Sequence, residues 1–252
     1  MHIAKGIEML EISVQIMGGS DTIYPTLLWD EDIAVLVDTG YPGLLENFKA
    51  AFKEASVHWS KLHTVVITHQ DLDHIGSLPS LLTDCSSKLE VLAHEIEKPY
   101  IQGDKMLLKH TPEALAAAEA MIPPHVPEDW RRAFLSVLSS PPKGRVDNTI
   151  KDGEWLPFAD GITAIHTPGH SPGHLSLYHH ESQTLIAADA LTVLNGELHG
   201  PDSKATPDMQ TALLSLSKFA DFEIKNVICY HGGLYQGDDV NQRIAELASV
   251  VI

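Results

Sequence analysis

Apolar and polar positions alternate with two different periods along the first part of the chain. Apolar residues at 10, 12, 14 and 16 alternate with polar residues between them, which predicts a half-buried strand. TLLW (26–29) and DIAVLVDTG (32–40) predict two further strands. PGLLENFKAAFKEAS (42–56) has helical spacing of its apolar residues, and HTVVITH (63–69) is a β-branched run typical of a strand buried on both faces.

The same two periods return after a central interruption. A short helix (77–84) and a strand (89–94) complete the first run. The chain resumes with the predicted strands 148–158, 161–167, 174–180, 184–194 and 225–231 and the predicted helices 207–218 and 239–251. Strands that alternate with helices favour a layered α/β fold.

Residues 95–147 form the interruption. EALAAAEAM (113–121) and PEDWRRAFLSVL (127–138) predict two helices, with prolines in the connections around them. Trp130 and Phe134 fall on one face of the second helix. We predict a single domain over residues 1–252 with a helical insertion that packs on the body as a lid. An interface in a homodimer is the alternative role for this insertion.

Charge and composition narrow the class of partner. Seventeen basic residues against 34 acidic ones leave a net charge of −17, which repels phosphate backbones and anionic lipid. No apolar run reaches the roughly 18 residues of a membrane span, and the N-terminus lacks a signal-peptide pattern. Cys85 and Cys229 have no metal-binding spacing and are expected to be buried free thiols. We therefore expect a cytoplasmic protein with a small-molecule substrate and neither nucleic acid nor a membrane as partner.

Four side chains with metal-binding chemistry lie in the segment THQDLDHIGS: His69, Asp71, Asp73 and His74. They follow directly on a predicted buried strand, at the edge where α/β sheets build sites. Imidazole nitrogen and carboxylate oxygen are ligands of zinc and other first-row metals. The alternative is an Asp-rich turn that caps the following helix.

Three later segments each add one side chain of this kind. His170 lies in the turn TPGHSPGH, Asp189 ends the apolar strand LIAADAL, and His231 ends the buried strand VICYH. Each alone has an ordinary explanation as a turn histidine, a helix cap or a core histidine. Together with the first segment they favour one metal centre.

In this order the segments resemble the motifs of the metallo-β-lactamase superfamily of metal-dependent hydrolases, and LVDTG (36–40) is a further match. The resemblance covers nearly the whole chain apart from the insertion. It implies an αββα sandwich, in which two mixed β-sheets pack face to face, helices lie outside and a dinuclear metal site lies at one edge.

The resemblance implies seven ligands in two sets that share one carboxylate: His69, Asp71 and His170 for the first metal, Asp73, His74 and His231 for the second, and Asp189 bridging both. Asp73 and Asp189 are also predicted to act in catalysis. Asp38 is expected to support the loop THQDLDHIGS (68–77), called the motif loop below, rather than bind metal. His166 is expected to lie behind the ligands, and His174 to open the next strand.

Asp71 departs from the commoner form of the motif, which has histidine there. A carboxylate oxygen lies about as many bonds from the backbone as the nearer ring nitrogen, so it reaches the same point. It adds a third carboxylate against two divalent ions and favours harder metals. We expect two divalent ions, zinc first, with iron or manganese as alternatives because of Asp71. Retention of a single metal is a further alternative.

The resemblance implies a hydrolase in which a hydroxide bridging two metals attacks a small ester, lactone or thioester. The added charge of Asp71 predicts an activity optimum on the alkaline side of neutral. Apolar residues of the predicted lid are expected to line the pocket: Met106, Leu107, Leu108, Trp130 and Phe134. The alternatives are a di-iron redox protein acting on O₂ or NO with an external electron donor, by similarity to flavodiiron proteins, a phosphodiesterase of the same fold, and a non-catalytic metal-binding module.

Overall fold

A computed structural model of the chain describes residues 1–16, 19–85 and 89–250. Its strands, numbered along the chain, are β1 His2–Ala4, β2 Ile7–Met9, β3 Ile12–Ile16, β4 Gly19–Ile23, β5 Thr26–Trp29, β6 Ala34–Val37, β7 Leu62–Ile67, β8 Glu90–His94, β9 Asn148–Ile150, β10 Trp155–Leu156, β11 Ile162–His166, β12 Leu175–His179, β13 Thr184–Ala188, β14 Thr192–Leu194, β15 Glu197–His199, β16 Asn226–Cys229 and β17 Gly233–Gln236. Its α-helices are α1 Leu45–Glu54, α2 Leu72–Ile75, α3 Leu78–Asp84, α4 Lys98–Ile101, α5 Pro112–Met121, α6 Glu128–Ser139, α7 Met209–Ser215 and α8 Val240–Ala248.

Two mixed sheets form the centre of the molecule. The first has seven strands in the order β1-β2-β5-β6-β7-β8-β9, antiparallel up to β6 and parallel from β6 to β9. The second has six strands in the order β10-β11-β12-β13-β16-β17, with β13 and β16 parallel and its other pairs antiparallel. The hairpins β3–β4 and β14–β15 form separate two-stranded sheets.

Buried apolar residues form three layers that follow from the alternation of side chains along each strand. One layer fills the space between the sheets, with members such as Val35, Val66, Leu177 and Ile186. A second lies between the first sheet and helices α1 and α3. A third lies between the second sheet and the segments of α8 and of a 3₁₀ helix at Leu216–Asp221. The predicted αββα sandwich is confirmed.

The interruption at 95–147 is the crossover between β8 and β9, which are parallel neighbours in the first sheet. Helices α4, α5 and α6 fill it. Its first part belongs to the body rather than to a peripheral lid, because Glu97 and Ile101 are fully buried. Helix α6 instead faces β3 and the start of α1 across a cavity of about 500 Å³, which Trp130 and Phe134 line.

Some predicted boundaries were wrong. The strand predicted over 148–158 is two strands in different sheets, because a turn at Gly153, with φ of 73°, sends the chain from β9 to β10. The short strands β1, β2, β4, β15 and β17 were not predicted. Cys229 is buried as expected, whereas Cys85 is half-buried, and both are free. The last predicted helix ends at Ala248, and residue 251 lies outside the described residues. No helix within the described ranges combines the length and hydrophobicity needed to cross a membrane.

Candidate metal centre

Strands from both sheets end at one edge of the sandwich. Strands β6 and β7 run parallel in the first sheet, and β13 and β16 run parallel in the second, so the carboxyl ends of each pair lie side by side. Main-chain hydrogen bonds join the sheets at this edge: Leu175 N–H donates to Thr68 O at 3.0 Å, and Tyr24 N–H donates to Tyr230 O at 3.0 Å. The side chains that follow these strands therefore meet.

The first group comprises His69, Asp71, His170 and Asp189. Oδ2 of Asp71 lies 3.3 Å from Nε2 of His69 and 3.0 Å from Nε2 of His170. Oδ2 of Asp189 lies 3.2 Å from Nε2 of His170 and 3.7 Å from Nε2 of His69. The motif loop and two distant strand ends thus place four donor atoms around one point.

The second group comprises Asp73, His74 and His231. Oδ2 of Asp73 lies 3.2 Å from Nε2 of His231 and 3.7 Å from Nε2 of His74. Oδ2 of Asp189 reaches this group as well, at 3.5 Å from Nε2 of His74 and 3.7 Å from Nε2 of His231. One oxygen of Asp189 therefore stands between the two groups. All seven positions singled out from the sequence come together in them.

The donor atoms of both groups suit divalent metals. Zinc binds imidazole nitrogen and carboxylate oxygen at about 2.0–2.2 Å, so ligand atoms in a tetrahedron lie about 3.3–3.6 Å apart. The distances within the first group, 3.0 to 3.7 Å, bracket this spacing. Among the described residues, Nε2 of His69, Nε2 of His74 and Oδ1 of Asp189 are buried and have no hydrogen-bond partner. Buried polar atoms are rarely left unpaired, so these atoms fit the role of metal ligands.

Asp38 fixes the orientation of the two buried imidazoles. It follows β6 and is itself buried, with a φ of 66°. Its carboxylate accepts from Thr68 N–H and Thr68 Oγ1, both at 2.8 Å, and from Nδ1 of His74 at 2.8 Å. Because the proton of Thr68 Oγ1 goes to Asp38, this hydroxyl accepts from Nδ1 of His69 at 3.0 Å. With Nδ1 paired in this way, Nε2 is the ring nitrogen that each imidazole turns toward the groups, and the predicted supporting role of Asp38 is confirmed.

His174 holds the backbone of Asp189. Its Nε2 accepts from Asp189 N–H at 3.1 Å, so it is not available to a metal. Its Nδ1–H donates to Thr167 Oγ1 at 2.8 Å, Thr167 donates to Ser176 Oγ at 3.1 Å, and Ser176 donates to Ala187 O at 3.0 Å. All of these residues are buried. Burial, with the neighbouring imidazoles, holds the pKa of His174 well below its usual value, which keeps the ring neutral.

The carboxylates make the edge favourable for positive charge. Burial acts to lower the pKa of His74, but Asp38, Asp189 and Asp73 outweigh it and raise that pKa well above its usual value. Burial also acts against protonation of His231, yet Asp189 and Asp73 raise its pKa to about 9. An excess of carboxylate charge of this kind attracts a cation, which is a proton or a metal ion.

Glu97 joins the two loops that carry the first group, and no pattern in the sequence predicted this role. Its fully buried carboxylate accepts through Oε2 from Gln70 N–H at 3.0 Å and Gln70 Nε2 at 2.8 Å. Through Oε1 it accepts from Ser171 Oγ and Gly173 N–H, both at 2.7 Å. A Cβ on Gly173 would lie 2.8 Å from Cγ of Glu97, so only glycine allows this approach. Four donors thus hold a carboxylate that forms no ion pair with any lysine or arginine in the part of the chain that the structure describes.

Lys109 is the second residue that motif analysis missed. Its Nζ lies 2.5 Å from Oδ2 of Asp71 and 2.8 Å from Nε2 of His170. It comes from the crossover segment, where no pattern in the sequence distinguishes it from other surface lysines. The sequence signal that could have raised the question is Asp71 itself, because an added carboxylate in a metal site calls for a compensating charge.

Two cavities flank the groups. One of about 400 Å³ opens on Asp71, Lys109 and His170 and is otherwise lined mainly by apolar atoms, including those of Leu108. The other is the cavity under α6, which Leu72 of the motif loop borders. The prediction that Leu107 and Met106 line the substrate pocket was wrong. Leu107 is buried in the core, and Met106 lines neither of these two cavities.

His166 lies away from both groups. Its ring stacks on His94 with the centroids 4.2 Å apart, and its Nε2 donates to Pro172 O at 2.9 Å. It therefore supports the turn of His170 from the side that faces away from both groups, as expected.

Comparisons with known proteins lead to the same family. The profile described as "Metallo-beta-lactamase superfamily" matches residues 19–231. The chain is 29% identical over 261 residues to the probable metallo-hydrolase YflN of Bacillus subtilis, which covers 98% of this chain and 91% of that protein. It is 25% identical over 170 residues to the hydroxyacylglutathione hydrolase GloC of Haemophilus influenzae, which covers 66% of this chain and 65% of that protein.

Solved structures share the fold. The metallo-beta-lactamase family protein TTHA1429 of Thermus thermophilus aligns with a TM-score of 0.68 at 24% identity, covering 98% of this chain and 80% of that one. The metallo-beta-lactamase FIM-1 of Pseudomonas aeruginosa, solved in a mono-zinc form, aligns with a TM-score of 0.62 at 15% identity, covering 98% of this chain and 92% of that one.

Proposed function

The chain belongs to the metallo-β-lactamase superfamily of metal-dependent hydrolases, and on that premise we propose that it hydrolyses its substrate with two divalent metal ions. The first group would hold one ion, the second group the other, and Asp189 would bridge them. The observation that carries this proposal is the position of Asp189 Oδ2, within 3.7 Å of four imidazole nitrogens, those of His69, His74, His170 and His231.

Two ions held in this way would supply an activated water and would polarise the oxygen of the substrate carbonyl whose carbon is attacked. The exposure of the ligand side chains supports one side for the approach of the substrate. His69 and His74 are fully buried at the back of the site, whereas the side chain of His231 is 35% exposed and that of Asp73 is 17% exposed. Substrate would therefore approach over Asp73 and His231. Asp73, as a ligand on this open side, is the residue we propose to act in catalysis together with Asp189.

Zinc is the metal we propose first, because the donors are four imidazoles and three carboxylates. Iron or manganese is the alternative, since carboxylate donors favour harder ions. Among the structural neighbours, FIM-1 is described in a mono-zinc form.

We propose a small ester, lactone or thioester as substrate. The cavity under α6 is lined largely by apolar side chains, and the cavity at Asp71 adds Leu108 and three prolines to its polar residues, which suits an uncharged acyl group. The relative GloC is named a hydroxyacylglutathione hydrolase, and that name denotes a thioester. The net charge of −17 argues against a polyanionic substrate.

The test combines metal analysis with a substrate panel. Protein purified without added metal should contain two zinc ions per chain and hydrolyse p-nitrophenyl esters, lactones or thioesters faster than bis-p-nitrophenyl phosphate. Preference for the phosphodiester would support the phosphodiesterase alternative instead. Bound iron with visible absorption and O₂ or NO consumption would support the redox alternative. Tight metal without any turnover would mean a binding module.

Replacement of the bridge tests the dinuclear part of the proposal. Asp189→Ala should lose turnover and at least one ion per chain. Asp238→Ala, which removes an exposed carboxylate outside both groups, serves as the matched control. Full activity in Asp189→Ala would rule out a catalytic site centred on this residue.

A further inference from the structure

Lys109 contacts the carboxylate of Asp71, the residue that distinguishes this site from the commoner motif. Its Nζ lies 2.5 Å from Oδ2 of Asp71, the same oxygen that faces His69 and His170 in the first group. Its side chain is 25% exposed, so the ammonium reaches Asp71 from the solvent side. It is the one lysine or arginine among the described residues that contacts a member of either group.

The backbone around Lys109 is tied to the motif loop. Leu108 N–H donates to Oε1 of Gln70 at 2.7 Å, and Gln70 directly precedes Asp71. Gln70 is in turn held by the buried carboxylate of Glu97. The approach of Lys109 to Asp71 is therefore built into the fold and does not depend on the side chain of Lys109 alone.

Charge explains why such a partner is useful. With two divalent ions, a site with two carboxylates has a net charge of +2, and the third carboxylate of Asp71 lowers this to +1. The ammonium of Lys109 restores +2. A lysine that donates to a metal-binding carboxylate also fixes the direction of the oxygen that faces the metal.

We propose that Asp71 and Lys109 act as one net-neutral unit that takes the place of a neutral histidine ligand in the first metal site. This inference rests on the proposed function, because it requires an ion in the first group. Lys109 is a positioning residue, since it acts on the ion through Asp71. The opposite arrangement is also testable: an ammonium that bonds Nε2 of His170, at 2.8 Å, would compete with the ion for that nitrogen.

A double-mutant cycle on metal affinity separates these arrangements. The proteins are the wild type, Lys109→Met, Asp71→His and the double variant Asp71→His/Lys109→Met. Stoichiometry is measured by metal analysis, affinity for the weaker ion by zinc competition with a chelator, and geometry by the visible spectrum of the Co²⁺ form. Circular dichroism verifies that each variant is folded. Lys105→Met removes an exposed lysine of the same segment that contacts neither group, and is the matched control.

We expect Lys109→Met and Asp71→His each to weaken binding of the first ion by about 10- to 100-fold, the range typical of partners that orient a metal ligand. The double variant should return to within a few-fold of the wild type, because a neutral ligand no longer needs the ammonium. Lys109→Arg should retain most of the affinity, and Lys105→Met all of it. A side chain with a merely structural role would not be rescued by a second substitution at Asp71.

Two results would overturn the inference. One is binding in Lys109→Met that equals or exceeds the wild type, and the other is a double variant no better than the single ones. Either result, in a wild type that binds two ions and hydrolyses its substrate, leaves the proposed function intact. A wild type that binds fewer than two ions would overturn the proposed function itself.

Discussion

Nε2 of His174 accepts a hydrogen bond from the backbone N–H of Asp189, at 3.1 Å. Asp189 follows Ala188, whose φ of 48° is unfavourable for a residue with a side chain. The strained turn and the hydrogen bond together aim the carboxylate of Asp189 at both groups. His174 is thus important without being a ligand, which agrees with its predicted place at the start of the next strand.

Replacement of His174 should therefore affect the metals although the residue does not touch them. In His174→Ala the turn at Asp189 loses its anchor, and we expect affinity for both ions to fall by about 10- to 100-fold. Chelator competition measures this. Thr167→Val, which removes the acceptor of Nδ1, should cause a smaller loss in the same direction. His125→Ala, at an exposed position of the crossover, is the control. Unchanged affinity in His174→Ala would refute the anchoring role.

Glu97 should contribute to stability as well as to the site. Glu97→Gln keeps the shape but turns an NH₂ toward donors, which leaves buried groups unpaired and should cost about 2–4 kcal/mol in the free energy of unfolding. Urea denaturation measures this loss. The exposed neighbouring variant Glu95→Gln should change stability by less than about 0.5 kcal/mol. If Glu97→Gln were as stable as the control, the carboxylate would not be joining the two loops.

Glu97 and Lys109 show where prediction from the sequence ends. The seven grouped residues could be found because each lies at or just past a predicted strand, next to recognisable turn residues. Glu97 and Lys109 lie in an irregular connection, and what buries or pairs them is contact with residues dozens of positions away. The added charge of Asp71 could be predicted, but the ammonium beside it could not. The expected alkaline optimum, which assumed an uncompensated Asp71, now applies most directly to Lys109→Met.

The same limit explains the unpredicted strands. Strands β1, β2 and β15 have only three residues each, too few for a period to show. They exist because a neighbouring strand offers free backbone groups, as β5 does for β2. The fold could be predicted from longer buried runs such as β7 and β13, because their apolar sequence is typical of a strand covered on both faces.

The cavity under α6 should decide how long an acyl chain the protein accepts. Trp130 and Phe134 stack with ring centroids 5.1 Å apart and form one wall of it. Trp130→Ala should raise KM for p-nitrophenyl octanoate by about tenfold, since the lost apolar contact is worth on the order of 1–2 kcal/mol. KM for p-nitrophenyl acetate should barely change. Met121→Ala, at an exposed position of α5, is the control. Equal effects on both esters would place the acyl chain elsewhere.

Metal uptake should release protons, because His231 must be neutral to bind an ion. Burial acts to lower its pKa, but Asp189 and Asp73 raise it to about 9, so without a metal it is mostly protonated at pH 7.5. A bound ion replaces that proton, and affinity should therefore rise with pH and level off above about 9. Calorimetry at pH 7.5 in buffers of different ionisation enthalpy should show about one proton released from this residue. His231→Gln should release about one proton fewer, whereas His125→Ala should match the wild type. Affinity that stays constant between pH 6.5 and 8.5 would mean that no protonated ligand is displaced, and that His231 does not bind the ion.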